Sequence, residues 1–223
     1  MNILSLNGSP RRKGNTSLLL EELLRGARDS GAQVEEIIAE EVNLKYCKGC
    51  LRCNLLKRCA MKGDDWETLS SKILCADVLI FASPIYFHHL TAPLKKILDR
   101  FRSFLHVQIT EHVLKHTTWH KWNKHFVLLL CLGSSNDEDA QPVLDLFKFM
   151  TTILGSENIL HSIVGTRLAV TNQVRMTVEE LFNLYPKLGL PPHLAEQDYH
   201  RNQMLLKKCY ELGKKLGEKN ITK

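Results

Sequence analysis

Residues 1–17 read MNILSLNGSPRRKGNTS, and the order of residue types in this stretch decides the fold. Residues 3–6 are mostly apolar, which predicts a β-strand. Residues 7–10 end that strand, and an apolar stripe typical of a helix begins at Leu18. A small-residue turn between a strand and a helix leaves backbone N–H groups and hydroxyls free at the helix N-terminus, where they favour an anion. The stretch therefore predicts an anion site, and phosphate is the anion we expect there.

The turn differs from the two commonest nucleotide-binding loops. Only Gly8 and Gly14 are present, so the G-x-G-x-x-G pattern is not met, and Gly14 is not followed by Lys-Ser or Lys-Thr as in a P-loop. Because no lysine is placed to meet a triphosphate, a single monophosphate fits better. The alternative is that Ser9, Thr16 and Ser17 only cap the helix.

Composition limits the class of protein. A chain of 223 residues, 44% of them hydrophobic, allows one large α/β domain. The net charge is +6, of which residues 201–223 contribute +5, so the nearly neutral remainder argues against a nucleic-acid surface. No apolar stretch approaches the ~18 residues that span a bilayer, and the N-terminus lacks a signal-peptide pattern. We therefore expect a cytoplasmic protein that does not enter a membrane, in which seven cysteines point to metal binding or redox chemistry rather than disulfides.

Strands and helices are predicted to alternate along the chain. Further strands are predicted at 34–39, 77–82, 125–132 and 159–164, and helices at 16–30, 90–105, 142–154, 176–185 and 196–217, with one more capped by Asp64 or Asp65. Alternation of this kind predicts a doubly wound parallel sheet, and a phosphate loop after the first strand suits the flavodoxin-like order 2-1-3-4-5. We expect a single domain over residues 1–223, with a cysteine-rich loop at 43–63 and a C-terminal helical extension at 190–223.

The loops after the first, third and fourth strands are expected to meet at the switch point of such a sheet. Residues 84–87, Pro-Ile-Tyr-Phe, are flat, apolar and partly aromatic, which suits an isoalloxazine ring, and backbone N–H groups of this loop would meet the ring's polar edge. The loop that begins at Gly133 would close the other side. The alternative for Tyr86 and Phe87 is a place in the core beneath the next helix.

Four cysteines form a second candidate site, with the spacing C-x2-C-x2-C-x5-C: Cys47, Cys50, Cys53 and Cys59. Three cysteines at intervals of three with a fourth nearby can supply the four thiolates of a [4Fe–4S] cluster, and the basic residues around them favour thiolates. Zinc also accepts four thiolates, although two well-separated pairs are its commoner arrangement. A cluster, zinc and a metal-free loop are the three interpretations.

Histidines crowd the segment 106–125. His112, His116 and His120 would share one face if this segment were helical, and such a face could bind a divalent metal. Trp119 and Trp122 in the same segment favour an interface or a lid.

Several of these motifs together resemble one family. They are Gly8-Ser9-Pro10-Arg11 with Gly14-Asn15-Thr16, the four cysteines, Asp64-Asp65, Ala82 to Phe87, and Lys95 with Asp99-Arg100. The combination resembles the NADPH-dependent FMN reductases of flavodoxin-like fold and, within them, the iron–sulfur flavoproteins. The resemblance covers about residues 1 to 135, and the long segment 107–124 departs from the family's usual shorter connection.

The resemblance implies FMN, with NAD(P)H as co-substrate. It implies that the FMN phosphate is held by Ser9, Arg11, Asn15, Thr16 and Ser17, and that the ring lies against Pro84, Ile85, Tyr86 and Phe87, with Gly133 nearby. It also implies a homodimer or homotetramer in which a neighbouring subunit completes the flavin site, and a [4Fe–4S] cluster on the four cysteines.

The expected function is that of an FMN-dependent NAD(P)H oxidoreductase. Reduced nicotinamide would pass a hydride to FMN, and the electrons would reach a small-molecule or protein acceptor, through the cluster where one is present. No catalytic side chain is predicted, because the flavin carries the chemistry. The alternatives are a non-enzymatic electron carrier, which would bind FMN without oxidising NAD(P)H, and a redox sensor built on the cysteine loop.

Overall fold

A computed structural model describes residues 1–218; the last five residues of the predicted C-terminal extension, 219–223, lie outside the described part. The strands are β1 (Asn2–Asn7), β2 (Gln33–Ile38), β3 (Val78–Pro84), β4 (Leu105–Ile109), β5 (Leu114–Thr118), β6 (His125–Cys131) and β7 (Ile159–Gly165). The helices are α1 (Asn15–Asp29), α2 (Cys53–Leu56), α3 (Trp66–Cys75), α4 (Ala92–Arg100), α5 (Gln141–Leu154), α6 (Val178–Leu184) and α7 (Leu194–Gly217).

Five strands form one parallel sheet in the order β2-β1-β3-β6-β7. These are the five strands predicted from the sequence, so the flavodoxin-like doubly wound α/β sheet is confirmed. The order changes direction between β1 and β3, so a crevice opens beyond their carboxyl ends.

Alternate residues of the central strands pack against different helix layers. Leu4, Leu79 and Phe81 are buried on the face covered by α3, α4 and α5. Ile3 and Ile80 are buried on the opposite face, against α1 and α7. A strand buried on both faces is apolar at every position, and this is why the sequence of β3 shows no polar alternation.

Helix α7 packs along α1, and its residues Leu205, Cys209 and Leu216 are buried in the core on that side of the sheet. The segment predicted as a C-terminal extension therefore supplies much of one helix layer. No helix within residues 1–218 combines the length and the apolar character needed to cross a membrane.

The segment between α4 and β6 differs from the expectation. The predicted helix at 90–105 ends at Arg100 and is followed by one 3-10 turn, because Leu105 begins a strand. Strands β4 and β5 then form an antiparallel hairpin with Leu105 opposite Thr118. The helical face proposed for His112, His116 and His120 is therefore wrong.

Candidate functional site

The turn after β1 is held in shape by the buried side chain of Asn7. Its Oδ1 accepts a hydrogen bond from the Ser9 N–H at 2.9 Å. Its Nδ2 donates to Ser17 Oγ at 3.2 Å and to Glu36 Oε1 at 2.9 Å. Asn7 thus ties the turn both to α1 and to β2, which leaves the turn little freedom to rearrange.

Gly8 allows the turn to approach the start of α4. Its N–H donates to the Ala82 carbonyl at 2.7 Å, and its own carbonyl accepts from Thr91 Oγ1 at 2.8 Å. A Cβ at this position would lie 2.7 Å from Thr91 Oγ1 and 2.9 Å from Leu94 Cβ. Only glycine fits without displacing these neighbours.

The N-terminus of α1 is open to an anion. Gly14 occupies the N-cap without a side-chain capping bond, and no acidic residue lies in the first turn. The hydroxyls of Ser9 and Ser17 instead donate to the Arg11 carbonyl, at 3.1 and 3.0 Å. The first-turn N–H groups and the positive end of the helix dipole therefore face the cleft without a capping side chain.

One cavity of about 260 Å³ brings together eight of the ten residues predicted to hold the cofactor: Ser9, Arg11, Asn15, Thr16, Pro84, Ile85, Tyr86 and Gly133. It lies at the carboxyl ends of the parallel strands, where open α/β sheets bind ligands. Ser17 instead lines a cavity on the other side of the turn, and Phe87 is fully exposed. Tyr86 is also exposed, so the alternative that placed Tyr86 and Phe87 in the core is wrong.

Two amides of the loop after β3 are already engaged within the protein. The Ile85 N–H donates to the Cys131 carbonyl at 2.9 Å, and the Tyr86 N–H donates to the His89 carbonyl at 3.0 Å. Neither N–H group is free to bind a ring. We expected the backbone N–H groups of this loop to meet the ring, and only those of its remaining residues could do so.

Phe87 and His88 form the tip of a tight turn. Their φ angles are +49° and +59°, a left-handed conformation that favours glycine or asparagine. Such strain costs on the order of 1–3 kcal/mol per residue and clusters at functional sites. Their N–H groups are the remaining backbone donors of this loop, although neither residue lines the cavity.

Sequence reasoning missed the loop after β7, which contributes Leu168 and Ala169 to the cavity. The Asn15 side chain holds this loop: its Nδ2 donates to the carbonyls of Leu168 at 3.1 Å and Val170 at 2.7 Å, and its Oδ1 accepts from the Val174 N–H at 2.9 Å. This leaves Asn15 only its backbone N–H for an anion. The loop could have been predicted from its position after β7, because the carboxyl end of β7 lies beside that of β6.

The loop after β7 is anchored to α7 by a buried carboxylate, Asp198. Arg167 Nε donates to it at 2.8 Å, Arg201 Nη1 at 2.8 Å and the Tyr185 hydroxyl at 2.6 Å. Burial alone would raise the pKa of Asp198, but these donors outweigh it and hold the pKa below its ordinary value. Burial and the carboxylate together raise the pKa of Tyr185 to about 12.

Cys131 lines the cavity but is not placed to act as a nucleophile. Its side chain is buried, and burial raises the pKa of the thiol to about 12. A thiol with this pKa is protonated at neutral pH and unreactive, so Cys131 serves to fill space.

The four predicted cluster cysteines line a second, much smaller cavity of about 20 Å³. Cys53 is buried, Cys59 is half-buried, and Cys47 and Cys50 are exposed. As the side chains are placed within residues 1–218, no group of three or more Cys, His, Asp or Glu could hold a metal ion. The four cysteines therefore line one cavity, but their thiols would have to turn inward to act as ligands together.

A buried ion pair between Arg100 and Asp64 borders this cavity, with both side chains 1% exposed. Arg100 Nη2 also donates to Cys59 Sγ at 3.3 Å, while its Nε is buried with no partner in the described residues. Burial would raise the pKa of Asp64, but hydrogen bonds from Arg100 and from the N–H groups of Lys45 and Trp66 lower it.

Helix α4 lies between the cavity at the carboxyl ends of the strands and the cysteine cavity. Thr91, just before its first residue, contacts Gly8, whereas Arg100, its last residue, contacts Cys59. Nine helical residues at 1.5 Å each span about 14 Å. The cysteines therefore lie toward the end of α4 that is farther from the turn after β1.

Residues 1–169 match the family model described as NADPH-dependent FMN reductase. The chain belongs to this family. The match covers the turn after β1, the cysteine-rich loop and the loops after β3 and β6.

Proteins described as iron–sulfur flavoproteins are among the relatives of this FMN reductase family member. One from Archaeoglobus fulgidus is 33% identical over 106 residues, which are 48% of this chain and 48% of the relative. One from Methanocaldococcus jannaschii is 36% identical over 102 residues, 46% of this chain and 52% of the relative. The chain thus matches these curated relatives over about half of their length.

Solved structures show the same fold. The FMN-dependent NADH-azoreductase of Bacillus anthracis, solved in complex with FMN, superposes with a TM-score of 0.62 at 15% sequence identity. The superposition covers 98% of this chain and 100% of that chain. At this identity the likeness establishes the flavodoxin-like architecture alone.

Proposed function

We propose that the protein is an FMN-dependent NAD(P)H oxidoreductase that passes electrons from reduced nicotinamide through FMN to a small-molecule or protein acceptor. The observation that carries the proposal is the cavity at the switch point of the sheet. Loops from the ends of β1, β3, β6 and β7 meet there, beside an uncapped helix N-terminus. Membership of the FMN reductase family supports the same conclusion.

Bound FMN would supply the redox chemistry, accepting a hydride from nicotinamide and releasing electrons to the acceptor. The first-turn N–H groups of α1, with the Thr16 hydroxyl and Arg11, would hold its phosphate. Residues 84–86 would flank the ring, and the N–H groups of Phe87 and His88, which follow in the chain, would be the donors left for its polar edge. The protein's part is to bind, orient and electronically tune the cofactor.

We further propose that Cys47, Cys50, Cys53 and Cys59 bind a [4Fe–4S] cluster. Four thiols that line one cavity, beside a buried arginine donor that lacks an acceptor, fit a sulfur-rich anionic group in their chemistry. Cys47 and Cys50 are exposed, and their side chains would turn inward to join Cys53 and Cys59 around the cluster. We also infer that two exposed residues, Tyr86, which lines the first cavity, and Phe87, which follows it in the chain, contact a second copy of the chain in a homodimer or homotetramer.

Anaerobic purification followed by absorption spectra before and after NADPH tests the flavin proposal. We expect a flavin spectrum that NADPH bleaches, with turnover in the presence of a quinone. FMN binding without NAD(P)H oxidation would instead indicate an electron carrier, and no FMN binding would overturn the assignment.

The same preparation tests the cluster by its iron, acid-labile sulfide and zinc content. We expect iron and sulfide, both lost in Cys53→Ser. Full FMN occupancy without either element would indicate a flavin reductase that lacks a cluster, and zinc in their place would indicate a structural metal.

A further inference from the structure

We propose that Arg100 and Arg102 are positioning residues for the cysteine site: each donates a hydrogen bond to a different cysteine sulfur, and together they make the bound cluster easier to reduce. This inference rests on the cluster proposed above. Arg100 Nη2 lies 3.3 Å from Cys59 Sγ, and Arg102 Nη1 lies 3.6 Å from Cys53 Sγ.

The guanidinium of Arg100 is fixed before any ligand binds. It pairs with Asp64, donates to the Lys45 carbonyl at 2.9 Å and lies 5.1 Å from the centre of the Trp66 ring. Its Nε is nevertheless buried without a partner in the described residues. Buried donors are nearly always satisfied, so a residue that lines the cysteine cavity keeps one donor for which the described residues supply no acceptor.

Arg102 is held from the other side by the hairpin. Its Nη1 donates to the Leu105 carbonyl at 2.8 Å, and its Nη2 donates to Asn54 Oδ1 at 3.1 Å. The Asn54 side chain in turn bonds both the N–H and the carbonyl of Val107, at 3.1 and 2.7 Å. The β4–β5 segment, which the family resemblance did not account for, thereby fixes the donor that faces Cys53.

The physical consequence concerns the reduction potential. Reduction adds negative charge to the cluster and its thiolates, and N–H donors aimed at the sulfurs stabilise that charge. Two rigid guanidinium donors on two of the four ligands should therefore raise the potential, whereas exposed arginines elsewhere in the loop act only through solvent-screened charge.

The test uses the full chain, reconstituted anaerobically with iron and sulfide, and titrated potentiometrically with visible and EPR detection at equal iron content. The variants are Arg102→Gln and Arg100→Lys; the latter keeps a cation beside Asp64. The controls are Arg52→Gln and Arg58→Gln, which remove one positive charge, as Arg102→Gln does, from exposed positions next to Cys53 and Cys59.

We expect both variants to lower the ratio of reduced to oxidised cluster at a fixed potential by roughly tenfold. For a one-electron couple this corresponds to a reduction potential about 59 mV more negative. The controls should shift the reduction potential by less than half as much. Equal shifts in variants and controls, or none in the variants, would overturn the inference while leaving the cluster intact. If Arg100→Lys does not fold, Arg102→Gln decides alone. A wild-type protein that takes up no iron and sulfide would remove the cluster proposal and this inference with it.

Discussion

At the scale of single residues, Thr16 tests the phosphate turn most directly. It is buried in the first turn of α1 and lines the cavity beside Ser9 and Arg11. We expect Thr16→Ala to weaken FMN binding by roughly 1.5–3 kcal/mol, the scale of one hydrogen bond to a charged group. Fluorescence titration of the apoprotein with FMN measures this.

Thr16→Ser is the matched control, because it keeps the hydroxyl and loses only a methyl group. Its affinity should stay near that of the wild type. Equal losses in both variants would trace the effect to packing, and unchanged affinity in Thr16→Ala would contradict the placement of the phosphate.

Individual residues also show where sequence reasoning stops. Asn15 was predicted to hold the phosphate and does line the cavity, yet its side chain bonds a loop more than 150 residues away in the chain. Residue type and local spacing identify a turn, but they carry no information about which distant backbone groups will fold against it. Leu168 and Ala169 were missed for the same reason.

At the scale of elements, α1 and α7 cross at two glycines. A Cβ on Gly213 would lie 1.9 Å from the Leu23 carbonyl oxygen, and one on Gly26 would lie 2.1 Å from the Tyr210 carbonyl oxygen. Backbone cannot yield as a flexible side chain can, so either substitution forces the helices apart. We expect Gly213→Ala to lower the free energy of unfolding by about 3 kcal/mol, despite the better helix propensity of alanine.

Chemical denaturation monitored by circular dichroism measures the change. Glu211→Ala, at an exposed position on the same helix, is the control and should stay within about 0.5 kcal/mol of the wild type. A stabilised Gly213→Ala protein would show that the two helices do not approach as closely as described.

The same scale shows which elements local patterns predict. The central strands are apolar throughout and flanked by amphipathic helices, so the pattern predicted the existence and type of β1, β3 and β6 and their order in the sheet. The hairpin β4–β5 lacks such a pattern, since one of its faces is mostly exposed and histidines interrupt the β-branched residues. Its strands contact α2 and α5, and sequence spacing does not encode these contacts.

For the molecule as a whole, the topology predicted the location of the site and long-range packing determined its walls. A parallel sheet with a phosphate turn after its first strand has one switch point, and the cavity is there. The buried Asp198 network, which joins the β7 loop to α7, was invisible in the sequence, because Arg167, Tyr185 and Arg201 come together only in the folded chain.

This network also makes the free energy of unfolding depend on pH in the acidic range. The folded pKa of Asp198 is held below its unfolded value of about 3.9, so below that pH the unfolded state binds the proton more readily. Its stabilising contribution is therefore complete above the unfolded pKa and is lost as the pH falls through the folded pKa.

We expect Asp198→Asn to lower the free energy of unfolding at pH 7 by about 3 kcal/mol, because two guanidinium groups lose their buried counter-charge. The variant should also lose less stability than the wild type between about pH 5 and pH 2, since it no longer has this carboxylate to protonate. Urea denaturation across that range measures both effects. Asp145→Asn, on the exposed side of α5, is the control and should keep the wild-type acid dependence. Parallel acid profiles for Asp198→Asn and the wild type would show that other carboxylates control the transition and that the β7 loop is anchored by packing instead.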